Sequence, residues 1–100
     1  NSVIQSLGKS IGLVVIHKLL MRYTKKPESI SHLKYEIEEY GGVAIDKTKE
    51  FNWSDNDKER IAKKSLEVIK KIKEKKYPDL EFPIEEAEKL VWEFMGEIGV

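Results

Sequence analysis

The chain has 100 residues, 40% of them hydrophobic and 36% charged, with 18 Lys/Arg set against 18 Asp/Glu and no cysteine. That length supports one domain, spanning 1–100, with a single core and no room for a second, substrate-binding domain. The absence of cysteine excludes disulfides, thiolate metal sites and thiol nucleophiles. A formal net charge of zero excludes a whole-molecule field that would draw the protein onto nucleic acid or an anionic membrane.

Residues 3–23, VIQSLGKSIGLVVIHKLLMRY, form the first predicted element. Leu13, Val14, Val15, Ile16, Leu19 and Leu20 point in almost every direction on a helical wheel, so this helix is expected at the centre of the fold. Its continuous apolar run is about half of the ~20 residues that cross a bilayer. No basic leader or cleavage pattern precedes it, so neither a membrane span nor a secretory signal is expected. Asn1 in place of Met reads as a trimmed chain or a fragment. Lys25-Lys26-Pro27 ends this helix near Tyr23-Thr24.

Ser29 or Ser31 caps a second helix, with Ile30, Leu33, Ile37 and Tyr40 on one face, and Gly41-Gly42 is expected to stop it. Val43 to Trp53, with apolar Val43, Ile45, Phe51 and Trp53 around a polar middle, reads as a short β-hairpin or an ordered loop. Ser54, followed by Asp55 and Asp57, starts a third helix that carries Ile61, Ser65, Val68 and Ile72 and ends at Tyr77-Pro78. Phe82-Pro83 opens a fourth, whose inner side is Ile84, Ala87, Leu90, Val91, Phe94, Met95 and Ile98; Gly96 and Gly99 predict a frayed end. Four helices with short connections predict an all-α, four-helix bundle-like domain.

Charge is unevenly placed along this neutral chain. Residues 58–76 hold nine Lys/Arg against three Glu, whereas residues 77–100 hold one Lys against seven acids. Either the basic third helix and the acidic fourth neutralise each other, or the stripe Arg60, Lys64, Lys71 and Lys75 is open to phosphates. Lys47 and Lys49, with Phe51 and Trp53, make a second, basic-aromatic candidate for stacking on bases.

Residues 16–43 place an apolar helix before a Ser-capped helix with a glycine turn, a pattern that resembles the first two helices of winged-helix DNA-binding domains. It covers less than a third of the chain, and no helical period follows at once where the recognition helix belongs.

Catalytic chemistry has little to stand on. Gly8-Lys9-Ser10 echoes the end of a phosphate loop, but the upstream glycine and the preceding strand are missing. His32 and Glu36 have the i, i+4 spacing of two metal ligands without a third. No serine sits in a nucleophile elbow. The expectation is a non-enzymatic protein without metal, cofactor or small-molecule substrate.

The leading expected function is a helical interaction module that self-associates or docks a protein partner through Trp92, Met95, Phe94 and Leu20. Nucleic-acid binding through Arg60, Lys64, Lys71, Lys75, Lys47 and Lys49 is the alternative. The missing cysteines fit a reducing cytoplasm. Lys and Glu together make up 30 of the 100 residues, a usage like that of hyperthermophile proteins.

Overall fold

The computed structural model describes residues 2–23, 30–49 and 52–100. Four α-helices run in the order α1 (Ser2–Tyr23), α2 (Ile30–Thr48), α3 (Asp55–Lys76) and α4 (Ile84–Glu97), with no strand among the described residues. The fold is all-α and bundle-like, about 39 × 23 × 20 Å. The first interhelical connection, residues 24–29, and Phe51 lie outside the described residues.

α1 is the centre. Ile4, Leu7, Ile11, Val14, Val15, Ile16 and Leu19 are each at most 1% exposed, and they face outward around most of the helix circumference. Three neighbours are needed to cover them, and α1 packs against all three other helices. By length and composition α1 is also apolar enough to cross a membrane, with 61% of its most apolar window buried against the rest of the protein.

Helix directions follow from the contacts. Lys47 of α2 reaches Ser10 of α1, while Tyr40 stacks near His17, so α1 and α2 are antiparallel. Glu86 meets Arg22 and Glu97 meets Lys18, so α4 is antiparallel to α1 as well. Gly8 meets Ile61 and Lys64 while Gly12 meets Ser65 and Val68, so α1 and α3 run the same way. Small residues allow this approach: a Cβ on Gly12 would lie 2.9 Å from both the Ser65 carbonyl oxygen and Val68 Cβ. Ser65, fully buried, turns its hydroxyl back to the Ile61 carbonyl at 2.9 Å and offers α1 a low, satisfied surface.

Two local expectations are corrected. Gly41-Gly42 does not stop α2, and residues 43–48 are helix, neither hairpin nor loop. Glycine in mid-helix costs about 1 kcal/mol relative to alanine, but tertiary contact outweighs it here. Leu33, Ile37, Tyr40, Ala44 and Thr48 make one continuous stripe through the glycines. Thr48 Oγ1 then shares its proton between the Ile45 carbonyl at 2.8 Å and the Ile98 carbonyl at 3.1 Å, bringing the end of α2 against the end of α4. The helix-turn-helix resemblance falls with the glycine turn, because α2 passes uninterrupted through the place where that turn belongs.

Nor does α4 fray. Gly99 adopts φ 87°, with Val100 N–H donating to the Met95 carbonyl at 2.9 Å and Gly99 N–H to that of Gly96 at 3.3 Å. This is a complete Schellman motif, which satisfies the last carbonyls and folds Ile98 and Val100 back on the core.

α3 begins as expected. Ser54 Oγ accepts from Asp57 N–H at 3.1 Å and Asp57 Oδ2 accepts from Ser54 N–H at 3.3 Å, a reciprocal cap.

Candidate functional site

The close packing of α1 on α3 creates the most distinctive surface of the molecule. Gly8 has no side chain, so the Lys64 stem lies directly over it: a Cβ there would fall 2.6 Å from Lys64 Cγ. Beside this contact an open groove of about 660 Å³ is lined by Gln5, Ser6 and Lys9 of α1 and by Lys64, Val68, Lys71, Ile72, Lys75 and Lys76 of α3. Five of these nine residues are lysines and none is a carboxylate. Val68 and Ile72 contribute apolar wall, the aliphatic part of a site whose rim is cationic.

The acids of α4 do not neutralise this groove. Glu86 is taken by Arg22 and Tyr23 of α1, Glu97 stands 4.0 Å from Lys18, and Glu93 pairs within its own helix with Lys89 at 3.8 Å. Among the described residues, no lysine of the groove has a carboxylate oxygen within 4 Å. The favourable i, i+4 spacings Glu59–Lys63 and Glu67–Lys71 are likewise not closed into ion pairs. Part of the charge on α3 has a local role, since Lys73, Lys75 and Lys76 stand at its C-terminal turn, where the helix dipole favours cations. Lys73 is directed to the Pro78 carbonyl at 3.5 Å, away from the groove.

Of the sequence-derived cationic candidates, Lys64, Lys71 and Lys75 are brought together in the groove, while Arg60 lies outside its lining on the exposed surface of α3. Lys47 is turned inward, donating to Ser10 Oγ at 3.0 Å and to the Ser6 carbonyl at 3.4 Å. Lys49 pairs with Asp46 at 3.6 Å, and Trp53 packs against the core. The basic-aromatic loop is therefore not assembled from these residues: Lys47 is a helical residue of α2 committed to α1, and Lys49 stands in the turn after Thr48. Lys76 was not singled out in the sequence, and Lys9 entered only through the incomplete phosphate-loop echo Gly8-Lys9-Ser10. The Gly8-x-x-x-Gly12 spacing was the signal for Lys9, because it marks the α1 face that meets α3.

Of the four residues expected at a protein interface, Leu20 is 7% exposed, Phe94 7% and Met95 1%, so they form core; Trp92, at 45%, stands in solvent. Lys18 Nζ covers the Phe94 ring, 4.8 Å from its centroid.

A second depression of about 510 Å³, at Arg22, Pro83, Glu85, Glu86, Lys89, Leu90 and Glu93, mixes both signs of charge. Its centre is the Glu86 carboxylate, which accepts from the Arg22 guanidinium and the Tyr23 hydroxyl. These bonds hold Glu86 below the usual carboxylate range and raise the Tyr23 phenol, first through the hydrogen bond to Glu86. The arrangement ties the end of α1 to the start of α4.

His32 and Glu36 stand 3.6 Å apart on α2, and among the described residues no group of three or more His, Asp or Glu converges on a metal-sized space. His17 donates from Nδ1 to the Leu13 carbonyl at 2.6 Å, which fixes its tautomer. Ser10, in contact with Lys47, is 5% exposed and donates to the Ser6 carbonyl at 3.2 Å, a link between helices with its hydroxyl withdrawn from solvent.

Comparison with protein-family models, curated proteins and solved structures finds no match to this chain.

Proposed function

We propose that the protein binds nucleic acid through the phosphate backbone, along the lysine groove between α1 and α3. The observation that carries this reading is a wall of five lysines with no carboxylate among the nine lining residues. Like charges gathered without counter-charge bind a polyanion by releasing its condensed counterions. The composition of the groove also indicates how such a ligand would be read. Lysine is a compact point charge without the planar fork that grips a guanine edge, and among the described residues no aromatic side chain lines the groove to stack on a base. Binding on this reading is independent of sequence, with the Kd of about 10⁻⁴–10⁻⁶ M usual for backbone contact at physiological salt. A reducing, nucleic-acid-containing cytoplasm suits a chain without cysteine.

Fluorescence anisotropy of a labelled oligonucleotide, duplex and single-stranded, tests the reading at low salt. Binding is expected to fall steeply as salt rises and to collapse in the double variant Lys71→Glu/Lys75→Glu. A probe whose anisotropy stays flat at low salt would dispose of the proposal.

A further inference from the structure

The molecule carries the complement of its own groove. On α4, Glu85, Glu88 and Trp92 recur at helical spacing and are all exposed, with Trp92 45% open to solvent. Neither Glu85 nor Glu88 has a cation within 4 Å among the described residues. A large aromatic side chain held in water beside free carboxylates is the usual anchor of a partner surface. The α1–α3 groove offers the converse: lysines at the rim, Val68 and Ile72 in the wall, and about 660 Å³ of space.

We infer that α4 of one copy docks in the α1–α3 groove of another, with Trp92 against Val68 and Ile72 and with Glu85 and Glu88 facing Lys71 and Lys75. The charge distribution favours a second copy as the occupant. Residues 77–100 hold one Lys against seven acids and residues 58–76 hold nine Lys/Arg against three Glu, so each molecule presents both halves of the match at zero net charge. Two copies therefore attract through these faces without overall repulsion. Length agrees as well: the 14 residues of α4 span about 21 Å, and the α3 wall from Lys64 to Lys76 spans about 18 Å at 1.5 Å per residue. Groove and α4 face are different surfaces, so the contact either repeats head to tail as a ring or chain or is made twice across a two-fold axis. A docked α4 would also exclude nucleic acid from the groove, although self-association itself does not require the nucleic-acid reading.

Sedimentation velocity of the full chain without nucleic acid tests this, with circular dichroism to establish that each variant is folded. The wild type is expected to show species above the 11.6 kDa monomer that grow with concentration and recede at about 0.5 M salt, where screening acts within ~4 Å. Trp92→Ala, Lys71→Glu/Lys75→Glu and Glu85→Lys/Glu88→Lys should each lose them. Mixing the two charge-reversed proteins should restore association, because each then supplies the partner the other lacks. A wild type that stays monomeric at low salt, a Trp92→Ala protein that associates normally, or a charge-reversed mixture that stays monomeric would each overturn the inference. A monomer that still binds oligonucleotide would overturn it while leaving the groove's proposed function standing.

Discussion

Gly12 and Ser65 meet backbone to backbone, with no space between them for even a methyl group: a Cβ on Gly12 would fall 2.9 Å from the Ser65 carbonyl oxygen. This contact sets the separation of α1 and α3, and with it the position of Lys9 relative to the lysines of α3. It also gives the glycines of the chain opposite mutational signs. Gly12→Ala should destabilise the fold by about 1–2 kcal/mol, since forcing two backbones apart costs more than the ~1 kcal/mol of helix propensity that alanine returns. Gly42 lies in mid-helix with nothing within 4 Å of its Cβ position among the described residues. There Gly42→Ala should stabilise by about 0.5–1 kcal/mol, and urea denaturation of the two variants checks both signs.

The groove makes a quantitative prediction about salt. A lysine that neutralises one phosphate contributes about 0.9 to the slope of log K against log salt on duplex DNA. Lys64→Gln should therefore lower that slope by about 1, with similar weakening for oligonucleotides of any sequence. Lys47→Gln should leave the slope unchanged, because Lys47 donates to Ser10 and Ser6 inside the helix packing. Titrations at several salt concentrations distinguish the two lysines.

Glu86 predicts how stability depends on pH. Its carboxyl is held below its ordinary value by hydrogen bonds from Tyr23 and Arg22, so between its unfolded and folded pKa the unfolded chain binds more protons. Its contribution is present above the unfolded value, about 4.3, and is lost as pH falls through the lower folded one. Tyr23 shifts the other way: its raised pKa means that its contribution is complete below about pH 10 and is lost as pH climbs through the folded value. Glu86→Gln should flatten both limbs of the thermal stability profile between pH 3 and 11, leaving the centre lowered. A wild-type profile that the substitution leaves superimposable in shape would refute this coupling.

Met95, 1% exposed, is a core residue in spite of its place beside Trp92 in the sequence. Met95→Ala should cost about 2–5 kcal/mol by opening a cavity, whereas Trp92→Ala should change stability by no more than about 0.5 kcal/mol. Thermal melts of the two variants separate core from surface on adjacent turns of one helix.

What could be read directly from the chain was whatever depends on nearby residues. The all-round apolar character of α1 placed it at the centre, Ser54 with Asp57 fixed the start of α3, and Pro83 with Glu85 and Glu86 marked the start of α4. Lys64, Lys71 and Lys75 were legible as one stripe because helical spacing puts them there. Local rules failed where distant contacts outweighed them. Gly41-Gly42 carries a stop signal worth about 1 kcal/mol per glycine, and burial of Ala44 and Thr48 against the rest of the core overrides it. Lys47 could not be known to point inward until α2 was seen to continue past Gly42 and bring its amine to Ser10. Leu20, Phe94 and Met95 read as interface residues in the sequence because a helical wheel shows which face is apolar but not which neighbour covers it.

Composition and spacing thus determined the number and type of the helices and the starts of α3 and α4, because those depend on interactions within one or two turns. The tertiary structure alone decided that the lysines of α3 stand beside Lys9 rather than beside the acids of α4. That outcome depends on Gly8 and Gly12 drawing two helices together across more than fifty residues of chain, a separation over which no local pattern carries information.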